Sequence, residues 1–248
     1  MPDYAFIVDA ALSEPKYRAE LTRIETRLSA LGLRGRWERM TILKNIVDTT
    51  TEAIKRGAKT IVVVGQDQTV TKLLPVILEH NVTLGLIPVG PDQFIAAALG
   101  ISDGVAACDC LSRRIIMHLD VGRANRQYFL LQLAAPAPTN VTCDGAYTVS
   151  SLDPRGSLAI TNLGVHGQHG QPADGRLELV VQPAARGNWW SRGRDPRLSV
   201  FPITRAKIEG RSEATSLLDG HLILKPPITV EVVPGKLAVI VGPRRKFS

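Results

Sequence analysis

The first half of the chain alternates short apolar runs with segments of helical spacing. The runs at residues 60–64 and 82–87 are short enough for buried strands. Residues 70–79 and 91–99 follow them and carry apolar side chains at helical spacing. Strands that alternate with helices are typical of a parallel sheet covered on both faces. We therefore predict an α/β domain over residues 1–112.

In the second half the helical spacing stops, and short β-branched runs separated by turn residues take over. Asp-Gly pairs begin at Asp144, Asp174 and Asp219, and a Pro-Gly pair begins at Pro234. Such pairs favour tight turns between strands. Many short strands with turns of this kind predict a β-sandwich. We assign it to residues 113–248, with the option that its C-terminal segment packs back on the first domain.

The net charge of +7 lies mostly in the second half. Residues 119–248 hold 16 Lys and Arg against 10 Asp and Glu, whereas residues 1–118 hold 14 against 13. A positive excess favours an anionic partner. The apolar runs are much shorter than the roughly 20 residues that span a bilayer. The acidic start of the chain does not resemble a signal peptide. We therefore expect a cytoplasmic protein and leave peripheral membrane association open.

The most specific motif lies where the third predicted strand ends, over residues 61–70. The strand turns towards a helix through Gly65 and Thr69, with Asp67 between them. Turn amides and a helix N-terminus attract phosphate, and a carboxylate can hold Mg²⁺. The pattern indicates a phosphate site. The alternative is that Asp67 only caps the helix.

This motif resembles the Gly-Gly-Asp-Gly-Thr signature of the diacylglycerol kinase, sphingosine kinase and bacterial lipid kinase family. The resemblance continues, in the order of that family, at residues 84–90, 120–122, 172–177 and 218–220. It implies an N-terminal three-layer α/β domain with a parallel sheet, a C-terminal β-sandwich and a nucleotide cleft. It also implies that ATP and Mg²⁺ serve to phosphorylate a lipid hydroxyl.

The resemblance also implies roles for individual residues. Asp67 would organise Mg²⁺ and phosphates, and Asp219 would act as general base on the substrate hydroxyl. The alternative for Asp219 is that it only begins a hairpin turn. The nucleotide-binding residues implied are Gly65, Gln66, Asp67, Gln68, Thr69 and Gly90.

The sequence departs from the family pattern at the residues that are expected to bind the nucleotide and to act in catalysis. Gln66 and Gln68 stand where the signature has glycines, and only Gly90 remains of a Gly-Thr-Gly-Asn-Asp loop. His221 stands where the family has a glutamate. Added side chains hinder the approach of phosphate to the backbone. We therefore expect a lipid-kinase-like protein whose activity is weak or lost. The alternatives are a non-catalytic lipid- or partner-binding pseudokinase and an NAD-kinase-like phosphotransferase.

Residues 186–197 combine two adjacent tryptophans with four arginines and one aspartate. Indole and guanidinium groups together suit an anionic membrane interface or a protein partner. The alternative is that the tryptophans belong to the sandwich core. We do not expect a nucleic acid partner, and a homodimer is left open. The residues predicted for this surface are Trp189, Trp190, Arg192 and Arg194.

Overall fold

The computed structural model describes residues 3–40, 45–136, 139–150, 156–164, 170–182, 198–209, 215–245 and 247. The chain divides into two compact units. One comprises residues up to Leu119 together with those from Gly235 onwards, and the other comprises Asp120–Pro234. The domain limits expected from the sequence, 1–112 and 113–248, stay a prediction.

The first unit alternates strands and helices along the chain, as the sequence predicts. Its helices pack in two groups, α1 with α5 and α2 with α3. Its elements are β1 (Tyr4–Val8), α1 (Arg18–Ala30), β2 (Gly35–Arg39), α2 (Ile46–Lys55), β3 (Thr60–Gly65), α3 (Asp67–His80), β4 (Thr83–Pro88), α4 (Phe94–Ala98) and α5 (Ala107–Arg113).

The second unit consists of strands, and its first and last strands also contribute residues to the first unit. The strands are β5 (Ile116–Ala124), β6 (Gln127–Phe129), β7 (Gln132–Pro136), β8 (Asn140–Cys143), β9 (Tyr147–Ser150), β10 (Ser157–Thr161), β11 (Leu177–Gln182), β12 (Ser199–Ile203), β13 (Arg205–Glu209), β14 (Ser216–Leu218), β15 (Leu222–Leu224) and β16 (Ile228–Ile240).

The sheet of the first unit is parallel, with strand order β2-β1-β3-β4. The end of β16 joins it beside β4, where Val239 is the register partner of Leu84. All six residues of β3 are buried, because helices cover both faces of a parallel sheet. The carboxyl ends of β1, β3 and β4 therefore lie side by side, and the loops that follow these strands are neighbours.

Two sheets of the second unit enclose one apolar core. One has the antiparallel order β12-β11-β10-β7-β14-β15, and the other contains β16, β13, β8 and β9. Alternate residues of each strand point inwards, as expected for a sandwich. The shared core includes Leu133, Leu158, Leu177, Ile203, Leu218 and Val230.

The predicted fold class, an α/β unit followed by a β-sandwich, is confirmed. The expected Pro234-Gly235 turn is wrong, because β16 runs through both residues without a reversal. Strand β16 is held extended by its neighbours on both sides of Pro234-Gly235. Before these two residues, β13 pairs with residues 228–231, and after them β4 contacts Val239. By contrast, Asp144 and Asp219 begin tight turns and have the positive φ angles that such turns require.

Candidate nucleotide site

The candidate site lies at the carboxyl ends of β1, β3 and β4, where parallel sheets usually bind ligands. Gly65 ends β3 with a φ of 155°, and a side chain there would lie 2.5 Å from Cβ of Asp9. The N–H of Val89 donates to the carbonyl of Gly65 at 3.2 Å. The hydrogen bond from Val89 holds the ends of β3 and β4 together. The close approach of Asp9 explains why residue 65 has to be glycine.

A carboxylate lies against the first turn of α3. The Thr69 hydroxyl donates to Oδ2 of Asp9 at 2.5 Å, and the N–H of Ala11 donates to Oδ1 at 2.9 Å. The N-terminus of a helix attracts negative charge, whether it comes from a phosphate or from a side chain. Asp9 is therefore an anionic side chain of the chain itself that lies beside the first turn of α3.

Asp67 is buried and connects the starts of two helices. Its Oδ2 accepts the N–H of Phe94 at 2.7 Å and that of Ile95 at 3.2 Å, and its Oδ1 lies 3.2 Å from the latter. Its own N–H donates to the carbonyl of Asp92 at 3.0 Å. The geometry is that of a capping acid for α4. The predicted role of Asp67 at Mg²⁺ stays a prediction.

The two glutamines of the motif differ in their surroundings. Gln66 lies against Gly90: a Cβ built on this glycine would meet Cγ of Gln66 at 2.9 Å and Nε2 at 3.1 Å. Gln93 also points to this loop, and its Nε2 donates to the Gly90 carbonyl at 2.5 Å. Gln68 is exposed on the first turn of α3. Gln66 is therefore the motif glutamine that lies against the loop after β4.

In the second unit, Asp219 is buried at the turn between β14 and β15. Its Oδ2 accepts the N–H of Leu130 at 3.0 Å, and its Oδ1 accepts those of Leu131 and Gln132 at 2.9 and 3.0 Å. Nδ1 of His221 lies 2.7 Å from the carbonyl of Asp219. The carboxylate thus supports the connection between β6 and β7. Its predicted role as general base stays a prediction.

Comparisons with known proteins bear on the family of this chain and on its fold. Residues 3–124, which contain Asp9, Asp67 and Gly90, match the family described as the diacylglycerol kinase catalytic domain. Through these residues, the chain belongs to the diacylglycerol kinase catalytic domain family.

Individual relatives are distant. A diacylglycerol kinase of Bacillus subtilis strain 168 is 26% identical over 132 residues, which is 52% of this chain and 44% of that protein. The crystal structure of a diacylglycerol kinase from Bacillus anthracis strain Sterne superposes with a TM-score of 0.77 at 19% identity, covering 98% of this chain and 97% of that one. The crystal structure of a candidate diacylglycerol kinase from the same strain gives 0.77 at 18%, with the same coverage. The solved structures show the fold.

Two features of this diacylglycerol kinase family member were not predicted as site residues. Asp9 directly follows the first apolar run of the chain. An acidic residue at the end of a predicted strand is the local sequence signal that could have identified Asp9 as a site residue. Glu178 is buried on β11, accepts the N–H of Gln171 at 3.3 Å and has an unpaired Oε2. Burial raises the pKa of Glu178 to about 7. The alternation of Glu178 with the core residues Leu177 and Leu179 places it on the outer face of the sandwich.

The buried cysteines of the first unit are not part of the site. Cys108 and Cys110 are buried free thiols, and burial raises the pKa of Cys108 to about 11. Among the residues that the structure describes, no group of His, Cys, Asp and Glu could hold a metal ion. In the same part of the chain, no helix is long and apolar enough to cross a membrane. The predicted surface of Trp189, Trp190, Arg192 and Arg194 lies outside the described residues.

Proposed function

We propose that this chain is a lipid-kinase-like protein in which ATP-dependent phosphorylation of a lipid hydroxyl is weak or lost. One observation supports the proposal: two side chains of the chain itself lie at the turn where phosphates are predicted to bind. Asp9 binds the hydroxyl of Thr69, and Gln66 lies against Gly90. The strand-to-helix turn that suits a nucleotide site is thus present, but the Thr69 hydroxyl is bound by Asp9 and the space beside Gly90 is taken by Gln66.

Electrostatics favours the same reading. A phosphate charge about 4 Å from the Asp9 carboxylate would be repelled by about 4 kcal/mol at the effective dielectric constant of a protein surface. The helix N-terminus contributes only about 0.3–2 kcal/mol of attraction for an anion. Repulsion therefore exceeds this attraction. These residues therefore disfavour a phosphate group that no cation bridges to Asp9, and we derive no phosphotransfer step from them.

The proposal is tested by removing the charge of Asp9 and the side chain of Gln66 from the predicted phosphate position. In the double variant Asp9→Asn with Gln66→Gly, the negative charge and the side chain are both removed. We expect the dissociation constant for ATP with Mg²⁺, measured by isothermal titration calorimetry, to fall at least about ten-fold, because a change of 1.4 kcal/mol in binding suffices for that. Gln68→Gly, which removes an exposed glutamine from the same turn, is the matched control and should leave binding weak.

Two results would contradict the proposal. In the first, the parent chain binds ATP with Mg²⁺ as tightly as the double variant does. In the second, Gln68→Gly strengthens the binding of ATP as much as the double variant does. The position of Gln66 against Gly90 would then not explain weak binding. Phosphorylation of dispersed diacylglycerol by the double variant but not by the parent would support the substrate class.

The second candidate is a non-catalytic lipid- or partner-binding protein. The charge of the second half favours it, since residues 119–248 carry most of the positive excess. In this function Trp189, Trp190, Arg192 and Arg194 would contact an anionic lipid surface or a partner. It differs from a kinase in predicting vesicle binding without any nucleotide.

An NAD-kinase-like phosphotransferase would instead consume NAD with ATP, and a nucleotide-consumption assay with NAD and with lipid separates the two enzymes.

A further inference from the structure

The face of the second unit that β8, β13 and β16 turn away from the sandwich core carries an open cavity. Its volume is about 290 Å³. Small-molecule sites usually measure about 300–1,000 Å³, so this cavity has room for a ligand of only a few atoms. Its lining includes Thr142, Asp144, Arg205, Lys207 and Thr229.

Strand geometry brings two hydroxyls and two cations to this cavity. On β13, Arg205 and Lys207 alternate with residues of the sandwich core, so both side chains point outwards. Thr142 on β8 and Thr229 on β16 are the register partners of Lys207 on its two sides. Neighbouring strands are about 4.8 Å apart, and residues two apart on one strand are about 6.7 Å apart. One small ligand can therefore contact all four side chains.

The turn that follows β8 contributes a carboxylate, which already has partners. Oδ1 of Asp144 accepts the N–H of Thr204 at 3.0 Å and that of Arg205 at 2.8 Å, and it accepts the Thr204 hydroxyl at 2.8 Å. Arg176 also attracts this carboxylate. These contacts fix the start of β13, which carries the two cations of the cavity.

The charges around the cavity leave a positive excess at Arg205. Within the described part of the chain, the guanidinium group of Arg205 has no ion pair or hydrogen bond. Glu231, its register partner on β16, pairs with Arg123 instead. Lys207 pairs with Glu209 at 2.5 Å, and both side chains are more than half exposed. Because exposed pairs are weak, an anion in the cavity can take over Lys207 as well.

We propose that this cavity binds a small phosphate monoester. The guanidinium group of Arg205 can donate two parallel N–H bonds to an oxyanion, and the ammonium group of Lys207 adds a point charge. The hydroxyls of Thr142 and Thr229 add further donors. Phosphate presents three terminal oxygens and carries a charge of about −1.5 to −2 at pH 7, which suits two cations. Carboxylate has two coplanar oxygens and a single charge, so it fits this set of donors less well.

The site does not depend on the proposed kinase-like function. All of its residues belong to the second unit, and none of them follows β1, β3 or β4. A phosphate monoester can be a free small molecule or the headgroup of a lipid. The two sources share the same chemistry, and the volume of the cavity favours the free molecule.

The test is isothermal titration calorimetry of the full chain with methyl phosphate at constant ionic strength and about pH 7.5, where a monoester is mostly a dianion. We expect saturable binding at one site, with a dissociation constant in the millimolar range. Arg205→Gln should weaken binding at least about ten-fold, because paired, charge-assisted hydrogen bonds are lost. Arg205→Lys keeps the charge without the planar fork, so it should weaken binding less, by about three-fold.

Matched variants separate the cavity from a general effect of surface charge. Lys225→Gln removes another exposed cation of the second unit and should leave binding unchanged. Glu209→Gln frees Lys207 and should strengthen binding about three-fold. Glu52→Gln removes the acid of an exposed ion pair with Arg56 in the first unit and should have no such effect.

The proposal is overturned if methyl phosphate shows no saturable binding, or if Lys225→Gln weakens binding as much as Arg205→Gln. Equal affinity for acetate would contradict the choice of phosphate. Co-sedimentation with phosphatidylcholine vesicles that contain phosphatidic acid distinguishes the two sources, and retention on them without binding of methyl phosphate would overturn the free ester. Circular dichroism checks that each variant is folded, and Glu209→Gln gives an independent result should the Arg205 variants unfold.

Discussion

The carboxylate of Asp219 makes contacts that are distant in sequence, and its removal gives a sharp test of the structure. In the Asp219→Ala variant the N–H groups of Leu130, Leu131 and Gln132 lose their acceptor. Leu130 and Leu131 are buried, so water does not readily replace the carboxylate there. A buried donor left without an acceptor costs about 1–3 kcal/mol.

The size of the effect follows from these contacts. Two buried donors at about 1.5 kcal/mol each give about 3 kcal/mol. Asp219 has a φ of 45°, and placing alanine there adds about 1 kcal/mol. We therefore expect Asp219→Ala to lower the free energy of unfolding by about 4 kcal/mol. Asp219→Asn keeps one oxygen and tolerates the backbone angle, so about 2 kcal/mol is expected.

Urea unfolding followed by circular dichroism measures this loss. Asp174→Ala is the matched control, because Asp174 also begins an Asp-Gly pair but is exposed and accepts the N–H of Arg176 within its own turn. Its loss should stay below about 1 kcal/mol. The reasoning is refuted if Asp219→Ala costs no more than Asp174→Ala.

Three further outcomes follow from the described contacts. Asp67→Ala, which leaves the amides of Phe94 and Ile95 without their acceptor, should lower the free energy of unfolding by about 2–3 kcal/mol in the same urea assay. Gly65→Ala should destabilise by more than about 1 kcal/mol in thermal unfolding, because the new Cβ would lie 2.5 Å from that of Asp9. The pKa of Glu178 is raised to about 7 from 4.5, so the folded state holds an extra proton between these values, and the contribution of Glu178 to stability should fall by about 3 kcal/mol from pH 4 to pH 8. Glu178→Gln should flatten that pH profile, and an unchanged profile would contradict the assignment.

Local signals in the sequence predict much of the fold. The apolar run of β3 and the Asp-Gly turns at Asp144 and Asp219 depend on neighbouring residues, and they lie where expected. Strand β2 was not predicted, because its five residues include three charged side chains and it forms the edge of the sheet. It is held by tertiary packing, with Trp37 stacked 4.7 Å from Phe6.

The site was less predictable, because its contacts join residues far apart in the chain. Asp9 and Thr69 are 60 residues apart, and Asp219 binds amides 87 to 89 residues away. The motif indicates that Asp67 lies at a turn before a helix, but not that its oxygens accept the N–H groups at the start of α4. The sequence also gives both motif glutamines equal weight, whereas one contacts Gly90 and the other is exposed.

The central claim is that Asp9 and Gln66 occupy the position of the nucleotide phosphates. Thermal unfolding of the parent chain with ATP and Mg²⁺ at millimolar concentration tests it directly. We predict a rise in Tm of less than about 2 °C. A working site at 100 times its Kd would add about 2.7 kcal/mol, which corresponds to about 5–11 °C for a chain of this size. A rise of that size that disappears in Asp67→Ala would contradict the account.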